Sequence, residues 1–169
     1  MIYLIWFLRI VHILAGIIWV GGALIMAFFI APAVGATAEA GQKFVGHLMG
    51  NLKFSSRMSA AAGLTILAGF ILYWIDSDGF TSAWMTSGAG RGFGIGAAFA
   101  LAGLVFGIQV GRITKSMAQL GGQIQGKPSA EQMQQMGALR KQQVMYSNVN
   151  VVLLVLAVIF MAIARYFVF

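Results

Sequence analysis

Cysteine is absent from this 169-residue chain, which excludes disulfides, thiolate metal sites and a cysteine nucleophile. Acid is scarce, with four Asp and Glu against eleven Lys and Arg, and charged residues make up only 9% of the chain. A soluble domain carries roughly 25%, so this chain has too little polar surface to face water. Histidine occurs twice, as His12 and His47, and proline twice, as Pro32 and Pro128. Motifs of soluble enzymes are missing too: there is no HExxH, no GxSxG and no P-loop. "GRGFGIG" (residues 90–96) scans as a glycine-rich nucleotide loop, but no strand precedes it and it opens an apolar run, so it is rejected.

What remains is apolar: 60% of residues are hydrophobic and the mean hydropathy is +0.87. A bilayer-spanning helix needs about 20 apolar residues, and four windows qualify, at residues 10–31, 58–75, 92–111 and 146–164. The expected fold is an all-α integral membrane domain, one four-helix bundle over residues 1–169 with helical extensions on the cytoplasmic side. "ATAEA" (36–40) offers a signal-peptidase-like site, but no basic stretch precedes the first segment, which is therefore expected to stay as an anchor. Both prolines are expected outside the spans, where a missing N–H costs little.

The net charge of +7 reports topology and attraction to anionic lipid rather than nucleic acid. Lys43, Lys53 and Arg57 lie between spans 1 and 2, and Arg112, Lys115, Lys127, Arg140 and Lys141 between spans 3 and 4. The other side has Arg9, Arg91 and Arg165 beside Asp76 and Asp78. This asymmetry predicts cytoplasmic basic loops and extracytoplasmic termini.

The basic loops carry helical patterns. In "GQKFVGHLMGNLKF" (41–54), Phe44, Leu48 and Leu52 recur every four residues with Lys43, His47 and Asn51 on another face, an amphipathic helix lying at the interface or extending span 2. Span 3 is expected to continue to about Leu120 and to turn at "GGQIQGKP" (121–128). Ser129 with Gln132 three residues on reads as a capping box opening one helix from Ala130 to Ala164. Met133, Met136 and Leu139 would face the extension of span 3. Within that span, Gly92, Gly96, Ala100, Gly103, Gly107 and Gly111 form one small-residue face, the usual close-packing surface of membrane helices.

The polar residues of span 1 are the candidate site. Arg9 and His12 share a helix face, with His12 roughly 5 Å deeper, and Trp19 and Met26 follow at intervals of seven. Arg165 ends span 4 and Asp76 ends span 2 on the same side, so Arg9, His12, Arg165 and Asp76 are expected at one level. Intramembrane ionisable residues are rare and functional by default. A histidine on an inner face with cations at the rim suits haem b, imidazole ligating iron and arginine pairing propionates. His12 and Met26 would also serve copper as nitrogen and thioether donors. His47, beside Lys43 and Asn51, reads as a solvated interfacial residue. No Asp or Glu falls inside a span, which argues against proton- or cation-coupled transport.

These residues carry a resemblance. His12, Trp19 and Gly22 look like the first helix of the bacterial membrane protoporphyrinogen IX oxidase family, and copper-resistance protein D domains begin similarly. Met58, Thr65 and Gly69 resemble that family's second helix, Gly111–Arg112 the end of its third, and "YSNVNVVLLVLAVIFMAIARYF" (146–167) its closing helix, with Arg165 at a basic position. The resemblance implies His12 as the haem ligand. One departure stands out: the family's lysine early in its third helix has no counterpart here, only Arg91 about a turn earlier, so a residue needed for porphyrinogen oxidation is missing. Three readings follow from these residues: a haem b protein with redox or porphyrin-related activity, a non-catalytic subunit or assembly factor of a larger membrane complex (or a homo-oligomer), and copper or small-solute handling.

Overall fold

The computed structural model describes residues 1–124 and 126–168, the Ala38 side chain excepted. The described residues are helical throughout, with turns and no strand: α1 (Ile2–Ile25), α2 (Ala31–Gly50), α3 (Phe54–Asp76), α4 (Gly88–Gln123) and α5 (Ala130–Ile163). Four helical stretches are long and apolar enough to cross a membrane, at Ile2–Thr37, Phe54–Asp76, Gly88–Gln123 and Ala130–Tyr166. Large apolar side chains such as Ile13, Ile17, Leu67, Phe70, Val105 and Val152 stand exposed along them. Such an exterior suits hydrocarbon as its solvent.

The helices pack as two antiparallel pairs, α1 with α3 and α4 with α5, and small residues set both seams. On α4, a Cβ at Gly92 would lie 2.9 Å from the Ala164 Cα, and one at Gly96 3.3 Å from the Ala157 carbonyl oxygen. At Gly103 it would meet the Leu154 side chain at 2.9 Å. The glycine face is thus spent on α5 of the same chain, except at Gly111, where nothing lies within 4 Å. The pairs join where Leu154 of α5 (1% exposed) packs with Trp19, Ala61 and Ala62.

The helical hairpin forms as the sequence predicts. The α4 helix runs to Gln123, and the Ser129 hydroxyl accepts from the Gln132 N–H while the Gln132 side chain accepts from the Ser129 N–H. The turn between them contains Gln125, which lies outside the described residues. Thr114 and Gln143 join the two extensions through a 2.8 Å hydrogen bond. Met136 and Leu139 are half-buried but Met133 is 58% exposed. It stands about 90° around the helix from the stripe centred on Met136, Leu139 and Gln143.

Two further expectations are corrected. Pro32 does not lie beyond the first span: α1 passes through a π-helical segment, Met26–Ile30, directly into α2, with Pro32 in the first turn of α2. Proline removes a backbone donor and crowds the preceding turn, and a π segment is a common local adjustment to such a defect in a helix. Of the two placements expected for the amphipathic segment, an extension of span 2 is not seen: residues 41–50 belong to α2, which ends before α3 begins. Before this segment, α2 bends sharply, because a Cβ at Gly41 would lie 2.7 Å from the Val34 Cα, whereas residues seven apart in a straight helix are separated by about 10 Å. The Thr37 hydroxyl donates to the Ala33 carbonyl at the bend, a back-bond that tends to bend helices. Lys53, in the left-handed region at φ 50°, then separates α2 from α3.

Candidate functional site

The α1–α3 seam is built from the two short patterns that stood out in the sequence, set against each other in antiparallel register. A Cβ at Gly22 would lie 2.6 Å from the Met58 sulfur, one at Gly16 3.7 Å from the Thr65 side chain, and one at Gly69 2.7 Å from the His12 Cε1. The His12 ring therefore occupies the room that the missing Gly69 side chain leaves. Its Nδ1 lies 2.8 Å from the Thr65 carbonyl oxygen. A carbonyl can only accept, so Nδ1 carries a proton, and in the neutral ring Nε2 presents a lone pair. The Thr65 hydroxyl is engaged with the Ala61 carbonyl at 2.8 Å and does not compete for the ring. His12 is half-buried, and Nε2 has no hydrogen-bond partner among the described residues.

One turn outward from His12, Arg9, Asp76 and Arg165 line a single open cavity of about 510 Å³, completed by Trp84, Ala89 and Phe93. The 77–87 connection holds the aromatic wall. Ser77, fully buried, accepts from the Phe80 N–H, and Asp78, Gly79 and Phe80 all take positive φ in a tight reversal. Trp84 then packs edge-on against Tyr73 at 5.2 Å and stacks with Phe93 at 6.3 Å between centroids. The Tyr73 hydroxyl donates to the Gly90 carbonyl at 3.2 Å, fixing the end of α3 beside the start of α4.

The sequence placed Arg9, Asp76 and Arg165 at one level, and the structure brings these three to one cavity. His12 does not line it, and neither does Trp19, which is 5% exposed in the core against Ala61, Ala62 and Leu154. Trp84 and Phe93 did not emerge from the sequence reading. The signal available was an isolated tryptophan in a short polar connection beside a span end, the usual place of an interfacial aromatic.

Donor chemistry tests which metal this site suits. Among the described residues no group of three or more His, Cys, Asp or Glu side chains could hold a metal ion. Met26 is 14 residues from His12, about 21 Å along a helix, too far to share an ion with it. A single imidazole suits a metal that arrives with its other ligands already in place, as iron does in a porphyrin. His12 can therefore supply one ligand position and no more. The rim is not a simple fit to haem b, because Asp76 stands in the same wall as the two arginines that would meet the propionates. No family model, curated protein or solved structure matches the chain.

Proposed function

We propose that this chain is a small multi-pass membrane protein that binds haem b through His12 and serves a one-electron redox role. The observation that carries the reading is the hydrogen bond from His12 Nδ1 to the Thr65 carbonyl. It fixes the tautomer and the ring orientation, and it leaves Nε2 as a lone pair without a protein partner in a segment apolar enough to lie in lipid. An unsatisfied acceptor in hydrocarbon is costly, and a ligand at Nε2 removes that cost. The second-sphere carbonyl is also what a metal-ligating histidine ordinarily uses to hold its ring. Haem b supplies reversible electron transfer at iron when bound, and the protein's part is to orient the imidazole and keep water from it. The purified protein from haem-replete cells is expected to show a Soret band that shifts on reduction with dithionite. A colourless preparation that takes up no added haemin would make His12 a packing residue.

A glycine face turned toward another chain would favour the subunit reading; on α4 that face meets the closing helix of the same chain, except at Gly111. The orientation proposed from the loop charges puts the Arg9–Asp76–Arg165 cavity on the outer side of a bacterial inner membrane, with the 121–143 hairpin in the cytoplasm. A cysteine introduced at Gln134, exposed on α5, is expected to resist an impermeant thiol reagent in intact cells and to react after permeabilisation. Labelling in intact cells would reverse the topology.

A further inference from the structure

The cavity one turn outward from His12 has a charge pattern that neither haem propionates nor simple snorkelling accounts for. Arg9, Arg165 and Asp76 line the same space, yet none of them takes part in an ion pair, the one salt bridge among the described residues being Lys43–Glu39 at 2.7 Å. Two cations and an anion that share a cavity without neutralising each other are arranged for a ligand carrying both signs. A haem edge brings two carboxylates and no cation, which leaves Asp76 repelled. Asp76 is moreover the last residue of α3, where the carbonyl end of the helix already disfavours negative charge, so a cation at that carboxylate removes an unfavourable interaction.

The walls define the rest of the ligand. Trp84 and Phe93 supply aromatic surface, and Ala89 supplies a small side chain beside them. The cavity lies where α1 and α4 begin and α3 and α5 end, at the limit of the apolar segments. In a bilayer matched to those segments this is headgroup depth, where tryptophan takes its usual interfacial position. Its volume, about 510 Å³, leaves room for a headgroup with its glycerol.

We propose that this cavity is a binding site for an aminophospholipid, with Arg9 and Arg165 on the phosphate and Asp76 on the primary ammonium. Guanidinium is the preferred partner of phosphate because its donors match the geometry of the oxygens. A carboxylate prefers a primary ammonium, which donates hydrogen bonds, to a quaternary one, which cannot. The site therefore selects phosphatidylethanolamine over phosphatidylcholine through Asp76. It selects against phosphatidylglycerol by the same residue, because that lipid has no cation to offer. The proposal does not depend on haem, since His12 lies outside the cavity and the readout below involves no haem signal.

The test is native mass spectrometry of the full chain released from mild detergent after incubation with equal amounts of dioleoyl phosphatidylethanolamine, phosphatidylcholine and phosphatidylglycerol. Wild type is expected to retain phosphatidylethanolamine several-fold more than either competitor. Asp76→Asn is expected to abolish that preference while still binding phospholipid. Arg9→Gln combined with Arg165→Gln is expected to lower retention of all three. Thermal unfolding of each variant in detergent separates loss of the site from loss of the fold. Equal retention of the three lipids by wild type, or an unchanged preference in a folded Asp76→Asn variant, overturns the assignment. So does water-soluble glycerophosphoethanolamine binding as well as the intact lipid, because the site would then recognise a free headgroup and not a membrane component.

Discussion

Gly103→Leu is expected to be among the most damaging single substitutions in the apolar core, leaving little folded protein after detergent extraction. The reason is local. A Cβ at Gly103 would already stand 2.9 Å from one Leu154 methyl and 3.2 Å from its Cγ. Leu154 cannot retreat, since it is 1% exposed and packed against Trp19, Ala61 and Ala62. A leucine at 103 must therefore separate α4 from α5 or drive Leu154 into the α1–α3 pair. Overpacking of this kind costs about 1–3 kcal/mol in well-packed cores and sometimes more, and the upper end applies where both seams are disturbed. Gly111→Leu is the control. It lies on the same sequence stripe and the same helix, but nothing stands within 4 Å of its would-be Cβ. It should unfold at nearly the wild-type temperature. Gly107→Ala, whose Cβ would make ordinary contact with Asn150 at 3.7 Å, should also be tolerated. Equal unfolding temperatures for Gly103→Leu and Gly111→Leu would show that the glycine face is not a seam.

That contrast marks what the sequence could and could not say. The small-residue face of span 3 was legible because spacings of three and four have only one helical meaning. Which of its six members touch a neighbour was not, because contact depends on how α5 is placed against α4. The capping box at Ser129 was legible in full, since its two hydrogen bonds lie within four residues. Pro32 misled for the opposite reason. A proline reads as a helix end when the helix is assumed to be regular, and the π segment at Met26–Ile30 leaves no mark in hydrophobic periodicity. The bend before Gly41, which brings Val34 and Gly41 close together, is likewise not encoded in a pattern of apolar side chains.

The candidate site divides along the same line. Charged residues at span ends fall at one level by helix length alone, so Arg9, Asp76 and Arg165 could be grouped from the sequence. The separation of His12 from that group could not be read there. It depends on which side of α1 meets α3, and Gly69 decides it by leaving a gap one imidazole wide. Trp19, on the same sequence line as His12, turns out to fill the core, because apolar periodicity does not distinguish a ligand face from a packing face.

Gly69 consequently gives the sharpest test of the haem reading. Gly69→Ala leaves the ligand in place and removes only the room it occupies, since the new Cβ would stand 2.7 Å from the His12 Cε1 and 2.9 Å from Nδ1. The ring must move, and the hydrogen bond to the Thr65 carbonyl at 2.8 Å must lengthen or break. Loss of a bond that orients a metal-ligating histidine typically costs 10–100-fold in metal affinity. The variant is therefore expected to purify with a small fraction of the wild-type Soret absorbance per mole of protein. His12→Ala should purify with none, because the second histidine, His47, lies on α2 beyond the bend. Added imidazole should restore part of the haem binding in His12→Ala by filling the vacated space, and it should do nothing for Gly69→Ala, where that space is closed. Gly63→Ala, on the same helix with nothing within 4 Å, should match wild type in both colour and stability. Size-exclusion profiles keep unfolding out of the comparison. Full Soret absorbance in a folded Gly69→Ala variant would mean that the ring held between α1 and α3 is not the one that meets iron.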